Sequence, residues 1–387
     1  MIRMLTACTE EVGETGEAIN EIMEQLDMEA NLLNNSVGLI FCDPEFIHSG
    51  MVAALSKKLP FNTVGITTRA GATQGIVSPT LFSISVLTAD DVTFSVAKSQ
   101  EINAENVDEA VSSAYREAEG RLPEKPALAI AYPPMILSLG THPMATALFR
   151  AAGNTPVFGT LPCSPEFDHT DSFIIINGTA ETMSLVLVLM SGNIHPDFFM
   201  MSTSERNLQK QYGIITKSEG NVVYKVNEVS FAEYLERQGF SKSKMSSGFL
   251  YLIPFMMNFN DGNPSVACGM YSINADGVAV FGSEMPEGNT ISPGSLNYEG
   301  IMETAEELLQ RVSLKKNING ILMYSCLARY ILLGIKNDDE LKKITEKIGG
   351  AAPYQLCYSG GEICPVKNNA GELTNRIHNY TLIACVF

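Results

Sequence analysis

The sequence predicts an α+β fold of two domains, in which mixed and largely antiparallel β-sheets are covered by helices. Three observations support this prediction. The 387 residues are enough for about two domains with cores of their own. An apolar content of 45% with 18% charged residues is typical of a soluble globular protein. Finally, a strand, helix, strand, strand order recurs along the chain, which favours sheets covered by helices.

The first copy of this order spans about residues 37–97. Before it, residues 1–30 place Ile19, Ile22, Met23 and Leu26 at helical spacing after a glutamate-rich stretch, which predicts a helix with one apolar face. The copy itself begins with a continuous apolar run of strand length. Its predicted elements are a strand at 37–42, a helix at 47–55, a strand at 63–68, a glycine-spaced turn at 69–75, and strands at 81–87 and 92–96.

A second copy follows at about residues 127–190, so the first half of the chain is predicted to be a duplication. Its predicted elements are strands at 127–132 and 155–160, a helix at 144–152, a turn with Cys163, Glu166 and Asp168, and strands at 173–177 and 183–190.

Part of a third copy is recognisable near the end of the chain. It consists of a strand at 320–326, helices at 328–333 and 338–348, a strand ending at Ser359, and a strand at 381–387.

A polar segment at 191–217 separates the two halves and predicts domains of residues 1–203 and 204–387. After it, residues 248–255, 265–273 and 276–281 indicate an antiparallel meander. Residues 303–312 show helical periodicity. For the way in which the sheets stack, we favour a layered αββα arrangement.

The composition excludes several classes of function. A formal net charge of −17 repels nucleic acid and anionic membranes, so neither is an expected partner. No apolar run reaches the length of a membrane helix, and Cys8 lacks the preceding apolar stretch of a lipoprotein signal. The eight cysteines are widely spaced within apolar runs, which indicates buried thiols in a reducing cytoplasm. No phosphate-binding loop is recognisable, and no cofactor is predicted.

The candidate site lies in the C-terminal part of the chain. An apolar strand ends at Ser359, turns at Gly360 and Gly361, and presents Glu362. His378, Asn379 and Thr381 precede the last strand and offer further hydrogen-bonding groups. Because the carboxyl ends of neighbouring parallel strands share one sheet edge, the site is predicted to include these residues together with Cys326 and Arg329.

Arg329 and Glu362 suggest the chemistry of the ligand. The guanidinium can grip a carboxylate with two hydrogen bonds, and the carboxylate can hold an ammonium group. One cation and one anion beside a glycine turn therefore suit an amino-acid zwitterion. The alternative is that Arg329 and Glu362 pair with each other, or with local backbone, and serve only the fold.

Two further uses of the same residues are less favoured by the sequence. Cys326 and His378 could act as nucleophile and base in a hydrolase or transferase, which requires hydrogen-bond contact and an oxyanion hole. Cys357, Cys364 and His378 could hold a metal ion, but their spacing fits no standard zinc pattern. We therefore predict neither catalysis nor a metal.

The C-terminal motifs resemble those of a known family. The run from Tyr358 to Ile363, Tyr-Ser-Gly-Gly-Glu-Ile, the run from His378 to Thr381, and Ser325-Cys-Leu-Ala-Arg329 are similar to the FIST family of F-box and intracellular signal transduction proteins. The resemblance implies paired N- and C-terminal FIST domains that sense small ligands such as amino acids.

The family's N-terminal pattern, Gly-Cys-Ser/Thr-Thr-x-Gly-Glu, is only partly present here. Gly65, Thr67 and Thr68 match it, whereas Ile66 stands at the cysteine position and the Gly-Glu is missing. The resemblance implies that Thr67 and Thr68 line a pocket, although Thr68 would equally serve as a strand end that bonds its own turn.

The sequence thus predicts a cytoplasmic small-ligand sensor without catalysis, whose output passes through a downstream signalling protein. The alternatives are an adaptor that binds a partner chain and a cysteine-dependent enzyme. The oligomeric state, the ligand's identity and the pathway stay open.

Overall fold

The fold is given by a computed structural model, which describes residues 2–136, 138–165, 170–202, 212–240, 253–368 and 370–387. The predicted domain boundary at 203/204, residues Glu166 and Asp168, and most of the predicted strand 248–255 lie outside these ranges. Within the described residues, the strands β1 to β26 form four sheets, and the α+β prediction is confirmed.

Three of the sheets have six strands each and share one design. In spatial order, the first sheet contains β1 (Arg3–Thr9), β6 (Phe82–Ala89), β2 (Asn35–Cys42), β3 (Asn62–Thr67), β10 (Ile174–Ile176) and β11 (Thr179–Glu181). The second contains β7 (Val92–Lys98), β12 (Val186–Gly192), β8 (Leu128–Tyr132), β9 (Val157–Thr160), β24 (Glu362–Lys367) and β25 (Leu373–His378). The third contains β13 (Asp197–Met201), β26 (Leu382–Val386), β22 (Ile321–Cys326), β23 (Tyr354–Ser359), β4 (Gly71–Thr73) and β5 (Ile76–Ser78).

The shared design confirms the predicted repeat and completes its third copy. In each sheet the two inner strands, β2 and β3, β8 and β9, or β22 and β23, are parallel. The next strand, β6, β12 or β26, returns antiparallel to the first of them. A leading strand, β1, β7 or β13, then pairs antiparallel with that returning strand. We call these the first unit (β1 to β6), the second unit (β7 to β12) and the third unit (β13 and β22 to β26).

Each unit gives its outer hairpin to another unit's sheet. The hairpin of the second unit, β10 and β11, extends the first sheet through β3. The hairpin of the third unit, β24 and β25, extends the second sheet through β9, and that of the first unit, β4 and β5, extends the third sheet through β23. Strands from both sides of residue 203 therefore pair within two of the sheets.

The three sheets enclose one inner core. Side chains alternate along each strand, so Leu39 and Phe41 of β2 face the same apolar cluster as Tyr132 of β8 and Tyr324 of β22. Phe41 packs edge-on against both tyrosines, and the two tyrosine hydroxyls are 3.2 Å apart. The favoured αββα stacking therefore needs correction, because three sheets rather than two share the buried face.

Helices cover the outer face of each sheet, which explains the continuous apolar runs of strands buried on both faces. The first sheet is covered by Thr15–Leu26, Met28–Asn31, Glu45–His48 and Met51–Ser56, the second by Val107–Glu119 and His142–Ala152, and the third by Tyr298–Ser313, Leu327–Leu333 and Asp339–Ile348. The predicted N-terminal helix is thus preceded by a strand, β1, that was not predicted from the sequence.

The fourth sheet is inserted in the third unit, between β13 and the helix Tyr298–Ser313, and has its own core. It contains β14 (Gly213–Glu219), β15 (Val222–Val226), β16 (Val229–Ser230), β17 (Phe255–Asn258), β18 (Val266–Cys268), β19 (Met270–Ile273), β20 (Ala279–Phe281), β21 (Thr290–Pro293) and the helix Phe231–Arg237. Its antiparallel pairing agrees with the described part of the predicted meander, at residues 265–273 and 276–281. Among the described residues, no helix has both the length and the apolar character needed to cross a membrane.

Candidate functional site

The predicted C-terminal residues come together at the carboxyl edge of the third unit. Cys326 ends β22 and lies beside Ser359, which ends the parallel strand β23. The Cys326 backbone N–H donates to the Thr381 carbonyl at 2.9 Å, and the Thr381 hydroxyl donates to Oε2 of Glu362 at 2.8 Å. All four side chains are buried. The register therefore assembles Cys326, Ser359, Glu362 and Thr381 as the sequence predicted.

The glycine turn connects this edge to the second unit. Gly361 has a φ of 141°, in the region that favours glycine, and its carbonyl accepts from the Leu161 N–H at 3.1 Å. A Cβ on Gly360 would lie 2.6 Å from the Pro162 carbonyl oxygen. The Thr160 hydroxyl lies 2.6 Å from Ser359 Oγ and 2.7 Å from the Gly361 carbonyl oxygen. Thr160 was not predicted as a site residue, although it ends the strand of the second copy that corresponds to β23.

Glu362 is the chemically unusual group of this edge. Its side chain is fully buried, and burial raises the pKa of its carboxyl group well above the ordinary value, against the lowering effect of the Thr381 hydroxyl, Cys326 and Arg329. The Cys326 thiol lies beside the carboxyl group, yet Oε1 has no well-aligned hydrogen-bond partner among the described residues. Glu362 is thus a buried acid whose protonated form is favoured, and its Oε1 has no strong donor among the described residues.

Arg329 lies in the first turn of the helix Leu327–Leu333, as predicted, but its partner is Glu340 rather than Glu362. Its Nε donates to Oε1 of Glu340 at 3.0 Å. Nη1 donates to the Tyr380 carbonyl at 3.3 Å, and Nη2 to the Thr304 hydroxyl at 2.8 Å. Both charged side chains have no exposed surface. The guanidinium thus bonds within the protein, through a carboxylate that was not among the predicted partners.

His378 and Asn379 lie at the end of β25, where His378 pairs in register with Glu362. The His378 Nε2 lies 2.9 Å from the Cys364 carbonyl, so it carries the proton, and Nδ1 has no partner among the described residues. Burial lowers the pKa of His378 to about 4, so the ring is neutral. Asn379 accepts a hydrogen bond from the Gly269 N–H at 2.9 Å and so ties the edge to the fourth sheet.

Thr67 and Thr68 lie at the corresponding edge of the first unit, and both are buried. The Thr67 hydroxyl donates to the Asp171 carbonyl at 3.0 Å and accepts from the Phe173 N–H at 2.9 Å. The Thr68 N–H donates to the Cys42 carbonyl at 2.9 Å. Thr67 therefore connects two chain segments, and its hydroxyl is used within the protein.

The thiols of this region are protonated. Burial raises the pKa of Cys326 and Cys357 well above the ordinary value and that of Cys163 to about 12. No hydrogen bond joins Cys326 to His378 in the part of the chain that the structure describes. The described ranges also contain no group of three His, Cys, Asp or Glu side chains placed to hold a metal ion.

Arg69 is a second arginine at this junction, and it was not among the predicted site residues. It follows Thr67 and Thr68, is half-buried, and places its guanidinium carbon 4.8 Å from the centre of the Tyr330 ring. Its backbone N–H donates to the Tyr358 carbonyl at 3.2 Å. Arg69 could have been predicted as a site residue from its position, because it lies two residues after the end of a parallel strand.

A surface cleft of about 410 Å³ lies at the opposite, amino ends of β2 and β3. None of the predicted site residues lines it. Its lining residues are Leu32, Leu33, Asn34, Asn35, Ser36, Pro60, Phe61, Asn62 and Phe94.

Comparisons with known proteins identify two family models. The FIST N domain matches residues 36–229 and the FIST C domain residues 230–365. A comparison with curated proteins found no match.

Among solved structures, two cyanuric acid hydrolases are similar at low identity. One, described as an evolutionary innovation by structural concatenation, is 12% identical, covers 67% of this chain and 82% of its own, and has a TM-score of 0.29. The other, from A. caulinodans, is 8% identical, covers 100% of this chain and 99% of its own, and has a TM-score of 0.38. We draw nothing about activity from these likenesses.

Proposed function

The chain belongs to the FIST family, whose domains are associated with sensing in signal transduction, and on this premise we propose that it is a small-ligand sensor without a catalytic step. The proposed ligand is an amino acid or a similar small metabolite that carries an amine. The proposed site is the carboxyl edge of the third unit, around Cys326, Glu362 and Thr381, with the backbone of Gly360 and Gly361 as its wall.

The observation that carries this proposal is Oε1 of Glu362, which has the weakly donating Cys326 thiol beside it but no well-aligned hydrogen bond among the described residues. Natural proteins rarely leave a buried carboxyl oxygen without a donor, because its desolvation is then uncompensated. An ammonium group would supply the missing donor and would favour the ionised carboxylate, since an opposite charge lowers the pKa of an acid. Binding of an amine should therefore release a proton from Glu362.

Two observations support binding rather than catalysis. Cys326 has a protonated thiol, because burial raises its pKa well above the ordinary value. His378, the base of the enzymatic alternative, makes no hydrogen bond to Cys326 in the described part of the chain, and its Nε2 donates to the Cys364 carbonyl. A nucleophile activated by a base needs contact between the two groups, and neither residue is arranged for it.

A sensor also needs a partner that reads its state, and we propose that this partner is a downstream signalling protein. Ile331 is 41% exposed and Ile335 fully exposed, and they lie four residues apart just after Arg329. These side chains offer an apolar contact close to the site. The same surface would serve the alternative function, an adaptor that binds a partner chain and needs no ligand.

A thermal-shift screen of the full chain against amino acids, amines, small carboxylates and common metabolites tests the proposal. A ligand at a hundred times its dissociation constant stabilises the protein by about 2.7 kcal/mol. The amine-bearing hit should be lost in Glu362→Gln and kept in Glu307→Gln, a matched change at an exposed glutamate. Calorimetry in buffers of different ionisation enthalpy should then show proton release on binding.

The screen also separates the alternatives. A hit that Glu362→Gln leaves unchanged would rule out the proposed site. A screen without hits, combined with loss of partner binding in an Ile331→Ser, Ile335→Ser variant, would favour the adaptor.

A further inference from the structure

Three buried polar atoms near the end of β3 lack hydrogen-bond partners among the described residues. They are Nε of Arg69, Oγ of Ser164 and Oγ of Ser172. The two serines are only 1% and 4% exposed, so water does not readily replace the missing partners. All three groups carry a proton to donate, and the unsatisfied donors therefore share one requirement, an acceptor.

The backbone around Thr67 brings these residues together. The Cys163 N–H donates to the Thr67 carbonyl at 3.1 Å, which places Ser164 beside the end of β3. On the other side, the Phe173 N–H donates to the Thr67 hydroxyl at 2.9 Å, which places Ser172 there as well. Arg69 follows Thr67 by two residues. The three donors thus come from three segments that meet at one threonine.

Arg69 is held in place without an ion pair. Its guanidinium stacks over Tyr330, and its backbone is fixed by Tyr358. Nε of the guanidinium has no hydrogen-bond partner in the described part of the chain. Asp43 is within electrostatic range of Arg69, but the two form no ion pair in the described part of the chain.

Two acidic residues of this junction have partners of their own. Oδ1 of Asp43 accepts from the Glu45 N–H at 3.0 Å, although Asp43 is also within electrostatic range of Arg69. Oδ1 of Asp171 lies 3.4 Å from Nε2 of His48. In the described part of the chain, neither carboxylate is hydrogen-bonded to Nε of Arg69, Oγ of Ser164 or Oγ of Ser172.

We propose that Arg69, Ser164 and Ser172 form a subsite for a compact anion, with the guanidinium as its charge partner and the two hydroxyls as its neutral donors. Carboxylate and phosphate share the chemistry that this set recognises, because both offer several strong acceptor oxygens to a planar guanidinium. The subsite belongs to the first and second units, whereas Glu362 belongs to the third.

The subsite and the proposed amine site are both within electrostatic range of Cys163. The electrostatic surroundings of its thiol include both Arg69 and Glu362. If the proposed function holds, the subsite supplies the cationic anchor for the ligand's carboxylate that Arg329 does not provide. The subsite stands on its own contacts, however, and does not depend on Glu362.

Titration of the full-length protein with inorganic phosphate and, separately, with acetate tests the subsite and distinguishes the two chemistries. Ionic strength is held constant with chloride, and binding is followed by thermal shift and calorimetry. One of the two anions should stabilise the protein. Arg69→Met should weaken the binding of that anion by about tenfold or more, and Arg69→Lys should restore part of the affinity. The double change Ser164→Ala, Ser172→Ala should weaken the binding by a few fold to about tenfold.

Three controls decide the result. Arg116→Met changes an exposed arginine and should leave the anion affinity unchanged. If Arg116→Met lowered the affinity as much as Arg69→Met does, the effect would come from net charge alone, and the proposal would be overturned. Glu362→Gln should also leave it unchanged, which separates this subsite from the amine site. The proposal is equally overturned if neither anion binds, or if binding appears only after Glu166→Gln and Asp168→Asn, since Arg69 would then have its acceptor within the chain.

Discussion

Arg329 and Glu340 form an ion pair with no exposed surface, in which Nε lies 3.0 Å from Oε1. The other carboxylate oxygen, Oε2, accepts from the Ser325 hydroxyl at 2.8 Å and from the Tyr358 hydroxyl at 3.0 Å. The pair therefore ties the helices Leu327–Leu333 and Asp339–Ile348 to both parallel strands of the third unit. It fixes the ends of the strands from which Cys326 and Ser359 project.

Breaking this pair should destabilise the protein strongly. Arg329→Met leaves the Glu340 carboxylate buried without its counter-charge, so we expect a loss of about 3–5 kcal/mol in the free energy of unfolding, measured by urea denaturation. Removing both charges in Arg329→Met, Glu340→Leu should cost less than the single change. Arg311→Met, in an exposed pair with Glu307, should cost about 1 kcal/mol or less. Equal effects of Arg329→Met and Arg311→Met would contradict the structural role.

Glu362→Gln should stabilise the ligand-free protein at neutral pH. The folded-state pKa of Glu362 is raised, so the folded chain holds a proton that the unfolded chain releases, and stability falls as pH rises from the ordinary pKa to the raised one. Glutamine mimics the protonated form, and each tenfold change in proton affinity corresponds to about 1.4 kcal/mol. The gain should grow with pH above the ordinary pKa of 4.5 and vanish below it, as urea denaturation across this pH range can show. A variant less stable than the parent at pH 7 would contradict the buried neutral acid.

His378 should produce the opposite pH dependence. Its pKa falls from 6.5 to about 4 on folding, so the unfolded chain binds the extra proton and stability is lost as pH falls through this window. The loss should approach about 3 kcal/mol near pH 4. In His378→Gln, which keeps a donor for the Cys364 carbonyl, this part of the pH dependence should disappear. The prediction would be disproved if the free energy of unfolding, measured in denaturant titrations between pH 4 and pH 7, changed with pH in the same way for both proteins.

The eight cysteines should resist alkylation in the folded protein. All are free and buried, and burial raises the pKa of Cys326 well above its ordinary value. Iodoacetamide at neutral pH should therefore label Cys326 slowly, while all eight thiols react in denaturant, as mass spectrometry can show. Rapid labelling of Cys326, abolished by His378→Gln, would instead support the cysteine-dependent enzyme.

Gly65→Ala and Gly159→Ala should each prevent stable folding. A Cβ would lie 1.9 Å from the Ile40 carbonyl oxygen in the first case and 1.9 Å from that of Ala131 in the second. Because both contacts are with backbone of a paired strand, we expect losses above about 4 kcal/mol. Gly16→Ala is the control, since nothing lies within 4 Å of its added Cβ. Soluble expression and circular dichroism of the three variants check this prediction.

The local order of elements was predictable from the sequence because each unit repeats the same pattern. The strand and helix of the third copy, the turn at Gly360 and Gly361, and the approach of Cys326 to Ser359 follow from apolar periodicity and the geometry of parallel strands. The FIST resemblance was carried by the same C-terminal residues, and the family models confirm it.

Long-range pairing could not be predicted in the same way. Nothing in the residues around Gly71 indicates that β4 pairs with β23, almost three hundred positions later in the chain. The partner of Arg329 was missed for a related reason. Glu340 fits the first turn of its helix as a favourable charge near the N-terminus, and only the packing of two helices reveals that it is buried against an arginine.

The exchange of hairpins also fixes when each sheet can be completed as the chain is synthesised. The first sheet has all its strands once Glu181 has been made. The second needs β24 and β25, and the third needs β26, which ends at Val386. The early hairpin β4 and β5 must wait for β23, since the Thr73 hydroxyl donates to the carbonyl of Tyr354. A chain on a ribosome that stalls before the last strands would therefore have two incomplete sheets. Glu362 would be among the last residues to reach its folded position.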